Sequence, residues 1–184
     1  MAIDKYTTKS IVLASYPQGE HDRVYKLFTR DFGMVMAHAK SIRRLDSKLR
    51  SHIEPGNLSV VTLVKGRDIW RLVGAEREYV TSPYLPLITA LLARFIQGEG
   101  SYKTLYDRIV QLLSAAPSYD KDVTHILVYY VLLVGLGYAD ARVIGTKDIN
   151  EYITWSVDDL YTHMVLRKQE VRTHVHMVLK EMQL

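Results

Sequence analysis

The chain contains no cysteine. That excludes a disulfide framework and any thiolate zinc site, and it fits a reducing compartment. No apolar run approaches the roughly 20 residues that a helix needs to span a bilayer. The longest is Ile126 to Leu136. The opening residues Met1-Ala2-Ile3-Asp4-Lys5 lack the apolar core of a secretion signal. There is no Walker lysine motif, no internal repeat and no low-complexity tract. His174 and His176 stand two apart and point to different sides of a helix, so they lack the spacing of a helical metal pair. Nothing places a Ser/His/Asp set together. The expectation is a soluble cytoplasmic protein, not an enzyme, with no cofactor and no metal.

What is present is positive charge, unevenly placed. The net charge over 184 residues is +4. The first 80 residues hold 14 Lys and Arg against 9 Asp and Glu, and the remainder hold 10 against 11. The excess is concentrated between Ala37 and Arg50, where Lys40, Arg43, Arg44, Lys48 and Arg50 face one acid, Asp46. Five cations so close together are hard to pair internally, and backbone phosphates are their commonest partner.

The hydrophobic pattern divides near residues 79–84. Before it, five short β-favouring runs alternate with turns: Thr7–Ser15, Arg23–Thr29, Met34–His38, Leu58–Val64, and Ile69–Val73 continuing towards Tyr79. Lys65-Gly66-Arg67-Asp68 reads as the hairpin between the last two. A five-stranded antiparallel unit must protect its edges, and closure into an oligonucleotide-binding barrel is the usual solution. The basic stretch then joins the third and fourth strands and rims the ligand groove.

After the boundary the pattern turns helical. Leu87, Leu91, Leu92 and Phe95 mark one helix, and Tyr102, Leu105, Ile109, Leu112 and Leu113 a second. Val123, Leu127, Tyr130, Val131 and Val134 mark a central third, closed by Gly135 and Gly137. Residues 138–155 read as a loop, with one helix from Asp158 to Leu184. The paired acids Asp158-Asp159 read as a capped helix start. The fold class is α+β: residues 1–80 a barrel domain, residues 81–184 a helical domain.

Five motifs recur in one order. They are Thr8-Lys9-Ser10-Ile11-Val12-Leu13, Gly19-Glu20-His21-Asp22-Arg23, and Leu27-Phe28-Thr29-Arg30-Asp31-Phe32-Gly33. Then come Ala39-Lys40-Ser41-Ile42-Arg43-Arg44 with Ser47-Lys48-Leu49, and Ile53-Glu54-Pro55 with Leu58. Their order and spacing resemble the N-terminal domain of the RecO family of bacterial recombination mediators. The likeness extends more weakly to Leu132-Leu133-Val134-Gly135-Leu136-Gly137-Tyr138. Many members carry a four-cysteine zinc module after that stretch. This chain has no cysteine there and looks shorter at its C-terminus, so residues 139–160 are expected to form a compact connection instead.

The resemblance implies a DNA repair and recombination function: binding of single- and double-stranded DNA, annealing of complementary strands, and assistance to RecA loading. It implies RecR and the C-terminal tail of the single-stranded DNA-binding protein as partners, and association with the nucleoid. Lys40, Arg43, Arg44, Lys48 and Arg50 are the leading DNA contacts, extended by Lys9, Arg23, Lys26, Arg67 and Arg71. Trp70 or Tyr25 would offer stacking platforms, with core packing as the competing role for each. Arg94, Arg108, Lys121 and Arg142 are candidates for the acidic tail. The alternatives are a nucleic-acid-binding barrel that does not anneal, and an adaptor that has lost DNA binding.

Overall fold

The computed structural model describes residues 4–44, 47–80 and 82–182. Asp46 and the end of the expected last helix at Leu184 therefore lie outside the described residues. Five strands run in order: β1 (Lys5–Gln18), β2 (Asp22–Thr29), β3 (Gly33–Ala39), β4 (Leu58–Val64) and β5 (Trp70–Glu78). They close as β1-β2-β3-β5-β4. Antiparallel neighbours supply every pairing except β3 with β5, which is parallel at Ala37↔Trp70 and His38↔Arg71. This is the expected oligonucleotide-binding type of barrel. Closure leaves no long free edge, as a small sheet requires.

Alternation fills the interior. Val12, Leu27, Val35, Ala37, Val61, Leu63, Trp70 and Leu72 all point inward and are at most 4% exposed. The small Ala37 and Ala39 make room for Trp70 and Tyr25. β1 carries an irregularity between Val12 and Ala14, and β4–β5 carries one between Thr62 and Leu63. Such bulges bend long strands around a barrel.

The β2–β3 turn shows why its motif reads Thr-Arg-Asp-Phe-Gly. Thr29 Oγ1 accepts from Phe32 N at 3.1 Å and donates to the Gly33 carbonyl at 2.9 Å. Gly33 has φ +68° and sits against the backbone of Gly100, where a Cβ would meet the Gly100 carbonyl at 2.7 Å. Only glycine satisfies both demands.

One helix, α1 (Leu85–Phe95), belongs with the barrel. Its face of Ile88, Leu92 and Ile96 is buried at i, i+4, i+8 spacing. The following residues run beside the start of β3, with Met34 N donating to the Gly98 carbonyl and Gly100 N to the Phe32 carbonyl. The first compact unit therefore comprises residues 1–80 and Leu85–Lys103.

The second unit holds α2 (Lys103–Ala115), α3 (Lys121–Gly135), α4 (Ile149–Thr154), α5 (Val157–Leu166) and α6 (Lys168–Glu181). α3 is its centre, buried from Val123 to Val134 with few interruptions. Asp120 caps its start by accepting from Val123 N. Gly137, at φ +79°, ends it in the left-handed C-cap conformation. Gly135 serves packing instead: a Cβ there would meet Leu105 Cδ1 at 2.5 Å.

Two expectations are corrected here. Residues 138–155 are not a plain loop; they include a 3-10 turn (Ala141–Ile144) and α4. The final helix is two helices broken at Arg167, whose φ and ψ of −115° and 22° leave the helical region. The acid pair is a helix start as expected, with Ser156 as N-cap and Asp159 completing a capping box.

Candidate nucleic-acid interface

The basic stretch leaves β3 at Ala39 and reaches β4 at Leu58. It is pinned at its start. Asp22, at the head of β2, accepts from Ser41 N at 2.7 Å through Oδ1 and meets His38 Nε2 at 2.9 Å through Oδ2. Ser41 takes a positive φ of 56°, which its contact with Asp22 supports. Arg43 N then donates to the His21 carbonyl at 2.9 Å. The Ser41 N–H bond, with His38 adding to it, holds the Asp22 carboxyl below its ordinary pKa. Ile42 and Ile53 plug the barrel interior at 1% and 0% exposure, so the stretch is anchored at both ends by apolar side chains.

With the backbone held in this way, Lys40, Arg43, Arg44, Lys48 and Arg50 are all exposed. Arg43 and Arg50 form no ion pair among the described residues. Together with Arg23, Tyr25, Glu54 and Pro55 they line a concavity of about 360 Å³ floored by Ile42 and Ile53. Arg23 donates from Nη1 to Ser15 Oγ at 3.1 Å, while its buried Nε has no hydrogen-bond partner. Burial pushes the Tyr25 hydroxyl above its ordinary pKa, with Arg23 beside it pulling the other way. The phenol therefore stays protonated and able to donate.

The outlying candidates divide. Arg67, in the β4–β5 hairpin, and Arg71, on the outer face of β5, are exposed. Lys9 is exposed but forms an ion pair with Glu78 at 2.8 Å. Lys26 donates to the Ala93 carbonyl at 2.9 Å, so it caps the last turn of α1 and is not offered to a ligand. Trp70 is no stacking platform: it is 4% exposed, packs beside Tyr6 and Phe32, and donates Nε1 to Glu99 Oε1 at 2.8 Å. Tyr25, 3% exposed, is also core. Exposed rings in this unit are Tyr6, Tyr16 and Tyr79, the last under Arg77 at 5.2 Å. The irregularity in β1 changes which face Tyr16 occupies, so simple alternation along the strand could not single it out.

The four tail candidates are scattered. Arg94 is exposed on the last turn of α1, in the barrel unit. Lys121 is exposed at the start of α3. Arg142 is bidentate with Asp140, holding that carboxyl down at about 2. Arg108 is 7% exposed, and its guanidinium donates to the carbonyls of Tyr152, Ile153 and Trp155 at the end of α4. It also borders an open groove of about 700 Å³ with Ile153, Trp155, Val157 and Asp158. Among the described residues no cluster of His, Asp or Glu could hold a metal, and no helix is long and apolar enough to cross a membrane.

Residues 1–78 match the family described as Recombination protein O N terminal. A DNA repair protein RecO from Dehalococcoides mccartyi strain CBDB1 is 37% identical over 71 residues, covering 39% of this chain and 28% of the relative. The RecO of Cutibacterium acnes is 36% identical over 64 residues, 35% of this chain and 26% of that protein. The similarity thus spans little more than a quarter of those relatives' length. It coincides with the closed barrel and its basic connection, so residues 1–78 are similar to the N-terminal domain of Recombination protein O.

Proposed function

We propose that this chain is a DNA-binding mediator of repair and recombination, and that it works without catalytic turnover. The observation that carries the reading is the exposed cationic connection, Lys40 to Arg50, held on the rim of a barrel of the RecO type. Annealing requires two polyanions to approach each other. A fixed row of cations lowers their repulsion and needs no covalent chemistry. Arg67, Arg71, Tyr16 and Tyr79 extend the contact surface. Assistance to RecA loading and association with RecR follow from the family likeness.

The test is fluorescence anisotropy of a labelled single strand over a salt series, wild type against Arg43→Glu/Arg44→Glu. Wild-type binding that weakens with salt, with weaker binding and a shallower slope in the variant, supports the reading. Equal binding by both moves the site off the connection. Failure of the wild type to bind at low salt favours a protein adaptor. A strand-pairing assay then separates a mediator from a passive binder.

A further inference from the structure

The concavity beneath the basic connection differs from the rest of the rim. Lys40 and Lys48 present their charge to open solvent, as a row that tracks a strand would. Arg23, Arg43 and Arg50 instead line one partly open concavity from three separate segments: β2, the start of the connection and its 3-10 turn (Arg50–His52). Ser15 orients the Arg23 guanidinium, and its Nε hydrogen is left without an acceptor. A buried donor left unmade is costly, so the arrangement is short of an acceptor. The protonated Tyr25 hydroxyl stands in the same electrostatic neighbourhood as Arg23, Arg50 and Glu54.

The charge count selects the ligand. Three guanidinium groups and the Glu54 carboxylate leave a net of two positive charges at the pocket. A phosphodiester within a strand carries one negative charge. A phosphomonoester carries close to two near neutral pH and offers three acceptor oxygens. A concave seat also admits a chain end more readily than a continuous backbone, which must leave it in two directions. Resting on the DNA-binding reading above, we propose that Arg23, Arg43, Arg50 and Tyr25 form a seat for the terminal phosphomonoester of a DNA strand. The rim would then hold the body of the strand, and the seat would register its end.

The experiment measures binding of the full chain to one short oligonucleotide in three forms: 5′-phosphorylated, 3′-phosphorylated and without a terminal phosphate. One terminal phosphate should tighten binding about tenfold, equivalent to about 1.4 kcal/mol, the scale of one charge-assisted hydrogen bond. The form that gains identifies which strand end is seated. Arg23→Gln should reduce the ratio between phosphorylated and unphosphorylated strands to near one. Glu54→Gln should raise it, a change of opposite sign that loss of folding cannot produce. Equal affinity for all three forms in the wild type overturns the seat while leaving DNA binding in place. No affinity for any form overturns the seat together with the reading beneath it. An undiminished ratio in Arg23→Gln also overturns it.

Discussion

Single residues decide whether the barrel closes and where its cations stand. Gly33 is required twice, by its left-handed φ and by the Gly100 backbone pressed against it. Gly33→Ala should cost at least about 1–2 kcal/mol from backbone strain alone, read as a lower midpoint in denaturant unfolding. Trp70 fills the core, so Trp70→Ala should cost about 3–5 kcal/mol. Trp70→Phe should keep strand affinity near wild type, since the ring does not reach solvent. Retained DNA affinity in Trp70→Phe would agree with the buried placement, and a large loss would contradict it. Asp22 carries a pH effect. Its folded pKa lies below the ordinary 3.8, so its contribution is complete above that value and disappears as pH falls through the folded one. Thermal melts should therefore show Asp22→Asn losing stability at pH 6, with the deficit against wild type narrowing below about pH 4.

At the scale of elements, the connection between β3 and β4 and the turn after α4 obey the same rule: irregular backbone is held by side chains from elsewhere. Asp22 and the His21 carbonyl hold the first. Arg108 holds the second by satisfying three carbonyls where α4 ends, a favourable place for a cation. Arg108→Met should keep the aliphatic packing but orphan those carbonyls, costing about 1–3 kcal/mol in the helical unit. Amide exchange at residues 149–156 should rise before that of α3. Regular elements were legible because their period is local: β4 at Leu58–Val64 and the buried face of α3 follow directly from spacing. α4 was not, because six residues are too few to display a helical period. Nor was the break at Arg167, where no glycine or proline interrupts the chain, although Met164 and Val171 on either side of it are both buried.

Over the whole molecule, the excess of positive charge seen in composition lies in the barrel unit, while the helical unit is built on an apolar core around α3. If Lys40, Arg43, Lys48 and Arg50 each neutralise one phosphate charge, the logarithm of single-strand affinity should fall with the logarithm of salt at a slope of about −3. Removing one of them should make that slope shallower by about 0.7. The sequence by itself determined the barrel, the helical second half and the identity of the basic stretch, because period, turn chemistry and charge are properties of neighbouring residues. Only the tertiary structure decided which cations are free. Lys26 and Arg108 look like Arg43 in a sequence, yet carbonyls brought from residues 67 and 44 or more positions away claim their charge. The same closure brings Arg23 from β2 against Arg50 from the connection, since a pocket is a relation between distant segments that no local pattern encodes.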